Sequence, residues 1–199
     1  MDLKIDEKFR RTNARIHSAG HLLDMAMNRA GKTELKPGKG YHFEEGPYVE
    51  YIGVVAEKDR APLCEELNKH CADIIAEAKA NNTEVFRKMC SYDEANEQLA
   101  GAGGVPSYVA AGSELRVLKL TPEDLGCPCG GTHVHAVPEI GRIEVTTMKK
   151  KKTNTQVKYQ VVFESAGEPA KPAATQKKAD KKADKKAGKP AKEQKAKAA

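Results

Sequence analysis

The chain has 199 residues, of which 39% are hydrophobic and only 5% aromatic, and a formal charge of +6. The apolar shortage is local. Residues 165–199 contain no Val, Ile, Leu, Met, Phe, Tyr or Cys, so they cannot offset the entropy of ordering and are expected to form a disordered Lys/Ala-rich tail. That tail holds eleven lysines against four acids, or +7, which leaves about −1 for residues 1–164, enough chain for one packed domain. No apolar run approaches ~18 residues, which argues against a membrane-spanning helix. The opening MDLKIDEKFRR lacks an apolar stretch, and five cysteines is an odd number. Both suit a cytoplasmic, reducing compartment with free thiols.

Taken in order, residues 14–30 read as a helix. Ile16, Ala19, Leu23, Ala26 and Ala30 keep a three- and four-residue rhythm, Asn13 is a candidate N-cap, and Gly31 suits the position after the last turn. Gly20 in mid-helix costs roughly 1 kcal/mol against Ala, which points to something approaching the backbone there. Residues 36–40, KPGKG, read as a turn. Residues 41–55 read as a strand pair broken at Glu45, Gly46 and Pro47, with His42 as an ordinary strand residue. A second amphipathic helix is expected over 62–79, with Pro62 at its first position and Leu63, Leu67, Cys71, Ile74, Ile75 and Ala78 on one face. Cys71 fits that stripe and His70 lies off it, so Cys64, His70 and Cys71 are read as packing rather than metal binding. Residues 83–89 look like a strand. Ser91 with Glu94 three residues on gives a capping-box start to a short helix. A Gly-rich loop at 101–106 precedes a strand at 113–120. Residues 141–148 and 156–163 form a strand pair with Thr153 and Asn154 at the hairpin tip. From 177 on, KKADKKADKKAGK is a low-complexity repeat.

Two short motifs carry chemistry. His17 and His21 lie four apart on the first helix and so share a face. Cys129 and His133 span a Gly130-Gly131 turn, where a backbone without Cβ atoms can approach a ligand closely. Neither pair is persuasive by itself. Together they offer three imidazoles and one thiolate, a tetrahedral set that suits Zn2+.

HSAGHLL and CGGTHV, with PEIGRIEV after the second, resemble the editing domain of alanyl-tRNA synthetase and its free-standing AlaX-type relatives in their short form. The likeness runs from His17 to Phe163 and takes in KGYHFEEGPYVEY, SYDEANEQL, GGVPSYV and LRVLKL. The threonyl-tRNA synthetase editing domain shares the two ligand elements but is less similar around GGTHV. The resemblance implies an α+β fold for residues 1–164, a single domain with a mainly antiparallel sheet backed by helices and an internal cleft. It implies zinc on His17, His21, Cys129 and His133. It also implies an enzyme that acts in trans on mischarged tRNA(Ala), chiefly Ser-tRNA(Ala), with Gly-tRNA(Ala) as a second candidate. The sequence departs from the pattern at Gly20, where relatives carry threonine; Ser18 or Thr132 is then the candidate hydroxyl for the amino acid. Pro138 also replaces a commoner threonine.

Ester hydrolysis needs a positioned water and stabilisation of the developing oxyanion. Two roles for zinc stay open. It acts on water or substrate, or it fixes the Cys129 turn while N–H groups of Gly130, Gly131 and Thr132 serve the oxyanion. His135 is a candidate proton shuttle or a solvent-facing histidine. Lys149, Lys150, Lys151 and Lys152, with Arg142, Lys36 and Lys39, are candidate tRNA phosphate contacts, though lysines on a sheet edge also serve only to blunt it. The basic tail would add salt-dependent affinity for tRNA. The alternatives are an editing hydrolase for another mischarged tRNA, or a non-catalytic zinc-containing tRNA-binding adaptor.

Overall fold

The computed structural model describes residues 4–163; the expected disordered tail, and the basic affinity assigned to it, lie outside the described residues. Ten elements follow one another: α1 (Glu7–Arg29), β1 (Lys36–Tyr41), β2 (Tyr48–Ile52), α2 (Glu57–Ala80), β3 (Phe86–Cys90), α3 (Tyr92–Gln98), β4 (Leu115–Lys119), β5 (Cys127–Pro128), β6 (Arg142–Lys151) and β7 (Asn154–Val162). Short 3-10 turns occur at Ala100–Ala102 and Val137–Ile140. The fold is α+β, and every strand pairing is antiparallel. The strands form two sheets, in the orders β1-β2-β7-β6 and β3-β4-β5. Among the described residues no helix is long and apolar enough to cross a membrane.

The four-stranded sheet packs on the two long helices. Leu22, Leu23 and Met27 of α1, Leu67 and Ile74 of α2, and Val49, Tyr51, Val157 and Tyr159 of the sheet are buried in one core. Beside β6, the Asn68 amide of α2 accepts from Val145 N–H at 2.6 Å and faces Val145 O at 3.4 Å, where β6 breaks register between Val145 and Thr147. A side-chain amide there satisfies backbone groups near the register break. The three-stranded sheet has a smaller core of Cys90, Ala95, Leu99, Leu115 and Val117, shared with α3. β4 serves both cores, because Val117 faces α3 and its neighbour Leu118 joins the larger cluster.

Several boundaries differ from the sequence reading. Helix α1 begins seven residues early, capped by Asp6, whose carboxylate accepts from Phe9 N–H at 2.9 Å; the candidate cap Asn13 is interior. Residues 7–11 are exposed, so no apolar rhythm marks that turn. Residues 36–40 are not a turn. They form most of β1, an edge strand whose register shifts between Pro37 and Gly40. An edge is where a sheet tolerates proline. Helix α2 starts at Glu57, so Pro62 sits in its second turn rather than at its first position. The β6–β7 hairpin turns at Lys152 and Thr153, one residue before the expected tip, with Lys152 in the left-handed region at φ 55°. The Ser91–Glu94 capping box and Gly31 with φ 70° are as read from the sequence.

Candidate metal centre

Helix α1 and the loop after β5 bring His17, His21, Cys129 and His133 together, with one donor atom from each inside 4.8 Å of the others. Cys129 Sγ lies 3.2 Å from His133 Nε2 and 3.6 Å from His17 Nε2. His21 Nε2 is buried and without a hydrogen-bond partner. An orphaned buried nitrogen facing three other donors is the condition that a metal ion relieves. The cluster can therefore hold a metal ion.

The surrounding bonds orient each ligand. Ser18 Oγ lies 3.3 Å from His133 Nδ1 and accepts from Val134 N–H at 3.2 Å, which leaves His133 Nε2 toward Cys129. Ser18 is fully buried, so its hydroxyl supports a ligand instead of lining an open recess. On His21, Nδ1 faces Cys127 Sγ at 3.4 Å and Asp24 Oδ2 at 3.9 Å. Asp24 in turn accepts from the Tyr51 hydroxyl at 2.7 Å. The Arg116 guanidinium clamps the Cys129 turn by donating to Cys129 O at 2.8 Å and to Gly131 O.

Glycine is needed at three points here. A Cβ on Gly131 would overlap the His17 imidazole, and a Cβ on either Gly20 or Gly40 would overlap His42. The mid-helix glycine thus makes room for a histidine from outside the motif pairs. The His42 ring stacks on His17 with centroids 4.7 Å apart. Its Nδ1 is 2.8 Å from the Tyr159 hydroxyl, and that hydroxyl donates to Ile16 O at 2.9 Å. Tyr159 has one proton, so His42 Nδ1 must carry the other and Nε2 is left as an acceptor.

Burial governs the electrostatics. Desolvation, with Arg116 beside it, lowers the His17 pKa, and desolvation with three neighbouring imidazoles holds His21 well below its usual range. His133 falls to about 3 and His42 to about 4, both chiefly through burial. All four rings are neutral near pH 7, the form that ligates metal. Burial pushes the Cys129 thiol up, opposed by a bond from Gly131 N–H and by Arg116. Asp24 rises to about 7 through burial and the nearby Asp124, against the Tyr51 bond.

The other candidates lie as follows. Gly131 N–H is turned to the Cys129 sulfur, while Gly130 and Thr132 are exposed beside it. His135 is exposed, with Nδ1 2.8 Å from Arg87, and its side chain forms no part of the cluster. Lys149, Lys150, Lys151 and Lys152 are exposed at the hairpin end of β6. Lys36 falls in the same cross-strand row as Lys151, at the opposite sheet edge about 14 Å away at ~4.8 Å per strand. Arg142 lies at the far end of β6, about 30 Å along the strand at ~3.3 Å per residue, and is ion-paired with Glu144. Cys71 is buried in the core and His70 pairs with Glu66 at 3.6 Å, as packing residues would.

Sequence reasoning missed His42, Cys127, Asp24 and Arg116. For His42 the signal was the mid-helix Gly20 opposite it. For Arg116 it was a charge alternating with buried Leu115 and Val117 in β4.

No protein-family model matches the chain. It is 30% identical over 146 residues to an alanine–tRNA ligase of Sorangium cellulosum, 34% over 152 residues to one of Paraburkholderia xenovorans, and 31% over 154 residues to one of Paraburkholderia phytofirmans. These matches cover 73%, 71% and 71% of this chain. The chain spans 15% of the length of each of these ligases, and over most of its own length it is homologous to one segment of them.

Proposed function

We propose that the chain is a trans-editing hydrolase. It removes the wrong amino acid from tRNA(Ala), chiefly serine and secondly glycine, at a zinc centre held by His17, His21, Cys129 and His133. The observation that carries this reading is the four-donor cluster, found in a chain homologous to a segment of alanine–tRNA ligases. Tetrahedral zinc with bonds of ~2.0–2.3 Å sets its donors about 3.3–3.6 Å apart. The 3.2 Å and 3.6 Å separations around Cys129 support that ion, as does the unpaired His21 nitrogen.

Zinc held by His17, His21, Cys129 and His133 would supply a fixed positive charge near the ester, and those four ligands would tie the Cys129 turn to helix α1. Arg116 holds the turn's carbonyls away from the substrate, which turns the N–H groups of Gly130 and Thr132 toward the ester oxygen. His42 Nε2, kept as an acceptor by Tyr159, takes the proton of the attacking water and returns it to the leaving 3′ oxygen. Thr132 offers the hydroxyl nearest the serine side chain, since Ser18 is committed to His133. Lys36 and the four hairpin lysines hold tRNA phosphates, and the segment 165–199 adds non-specific attraction.

The test is deacylation of Ser-tRNA(Ala) beside Ala-tRNA(Ala), with wild type and Cys129→Ala, and zinc measured on both. Selective loss of serine by the wild type, at least a hundredfold slower in the variant, is expected; about 2.7 kcal/mol of barrier corresponds to that factor. Bound zinc with no hydrolysis above buffer would overturn the hydrolase and leave a binding adaptor. Deleting residues 165–199 should raise KM and flatten the salt dependence while the Ser/Ala preference stays.

A further inference from the structure

The four-stranded sheet buries one face on α1 and α2 and leaves the other open. Along β2 and β7 the core side takes Val49, Tyr51, Val157 and Tyr159, so Tyr48, Glu50, Lys158 and Gln160 point the opposite way. The register carries this alternation into β6. Lys149 pairs with Gln156 and Lys151 with Asn154, both of the outer set, whereas Lys150 pairs with the buried Thr155 of the core side. The run of four lysines is therefore split. Lys149 and Lys151 stand on the open face, Lys150 on the other, and Lys152 in the turn.

Lys158 joins them from the middle of the sheet. It lies between Tyr48 of β2 and Thr147 of β6. That places it about 8 Å from Lys149, at ~4.8 Å per strand and ~3.3 Å per residue. Lysines on an edge strand are explained by the need to blunt it. That account covers β6 and fails for Lys158, because β7 is paired on both sides and has no edge to protect. All three lysines are exposed, and among the described residues none of them is ion-paired. The carboxylates beside them are already engaged. Glu50 accepts from the Gln156 amide at 3.2 Å, and Glu144 is held by Arg142 and Gln160.

An open face with three unpaired ammonium groups fits a polyanion. Its aromatic content decides which kind. A single strand is held by stacking its bases on exposed rings. The rings of this face, Tyr41 and Tyr48, lie at one end and stack on each other, with centroids 5.8 Å and planes 16° apart. The rest offers lysine, glutamine and threonine, donors suited to phosphate oxygens and 2′-hydroxyls, which are what a paired RNA helix displays. We propose that the outer face of the four-stranded sheet docks the base-paired stem of an RNA, held through its phosphates by Lys149, Lys151 and Lys158. The inference rests on the tRNA-substrate reading above, and it gives the stem a surface outside the metal centre.

The alternation supplies its own control. The full chain is titrated into a labelled, uncharged RNA hairpin and into a single strand of equal length, with fluorescence anisotropy as the readout. Lys149→Glu and Lys158→Glu should each weaken hairpin binding about tenfold, and Lys158→Ala about threefold. Each should lower the slope of log affinity against log salt by about 1. Lys150→Glu, from the other face, should cost about twofold, and the single strand should bind about fivefold more weakly than the hairpin. Residues 165–199 are the same in every variant, so differences between variants report the face. The substituted residues are exposed, and urea midpoints should match the wild type. Equal losses from Lys149→Glu and Lys150→Glu would overturn the proposal, as would a Lys158→Glu protein that binds like the wild type or a single strand held as tightly as the hairpin. The two readings fail separately. Hairpin binding that follows the alternation without deacylation keeps the face and removes the hydrolase, and deacylation with KM unmoved by Lys158→Glu does the reverse.

Discussion

The two sheets solve the problem of stability differently. The four-stranded sheet lies on α1 and α2 and shares a core that includes the fully buried Leu22, Leu23, Tyr51, Leu67, Ile74 and Tyr159. The three-stranded sheet shares Leu118 with that core and otherwise rests on a smaller cluster of Cys90, Ala95, Leu99, Leu115 and Val117. Yet this smaller half leads directly into the turn carrying Cys129 and His133, which must meet His17 and His21 on the larger half. The lesson is that the smaller half leans on polar links as well as on apolar burial. Arg116 clamps the turn, Arg29 at the end of α1 reaches Glu77 and Glu123, and a shared ion would close the set.

The comparison breaks most readily in the cores. Leu22→Ala removes a fully buried side chain from the large core and should cost about 3–5 kcal/mol, read as a fall in the urea midpoint. Leu99→Ala empties a similar space in the small core. Its global cost should be nearer 2–3 kcal/mol, with amide exchange accelerating in β3 and β4 but not in β6 and β7. Equal acceleration in all four strands would mean that the halves unfold as one.

Acid should sharpen the contrast in chelator-treated protein. His42 and His133 have folded pKa values of about 4 and 3 against an ordinary 6.5, and His17 and His21 are lowered too. The unfolded chain then binds more protons between pH 6.5 and about 4, so stability is full above 6.5 and falls as pH drops through that window. Asp24, raised to about 7, works the other way, since its protonated form favours the fold and its contribution fades as pH rises from 3.8. Asp124, raised by burial too, acts in the same sense as Asp24, and four imidazoles outweigh the two carboxyls. Urea midpoints of the metal-free protein should therefore fall steadily from pH 7 to 4.5, and a flat or rising profile would contradict the neutral-imidazole account.

The smallest expected effect is at α3. Ser91→Ala loses one side of the capping box, in which Ser91 Oγ accepts from Glu94 N–H at 3.3 Å, and should cost about 1 kcal/mol. If the small half is the first to open, that loss appears in exchange of α3 and β3 before it moves the global midpoint.

What was legible in the sequence was what is encoded locally. His17 and His21 announce a shared helix face, Cys129 and His133 a glycine turn, and Ser91 with Glu94 a helix start. The partners that complete the centre come from far along the chain. Tyr51 meets Asp24 across 27 positions, and His42 meets Tyr159 across 117. No period or spacing encodes such pairs. β1 was misread because Pro37, Gly38 and Gly40 have turn chemistry, and only pairing with β2 makes them a strand. The first turns of α1 were invisible because their exposed residues carry no apolar rhythm, leaving the Asp6 cap as the sole local sign. The division into two sheets was not legible either, because strand-like patterns do not say which edges meet.

The strand order β1-β2-β7-β6 has a consequence for biosynthesis. β2 pairs on one side with β1, a few residues earlier, and on the other with β7, from Tyr48 against Lys158 to Ile52 against Asn154. On a ribosome, β2 waits with an open edge while about a hundred residues are added at ~5–20 per second. His17 and His21 wait likewise for donors 112 positions downstream. The nascent chain thus carries an unpaired strand and an incomplete ligand pair for several seconds, and neither closes until the last third of the domain has emerged. Slow synthesis or scarce metal should then show first as aggregation of growing chains, before any defect appears in the finished protein.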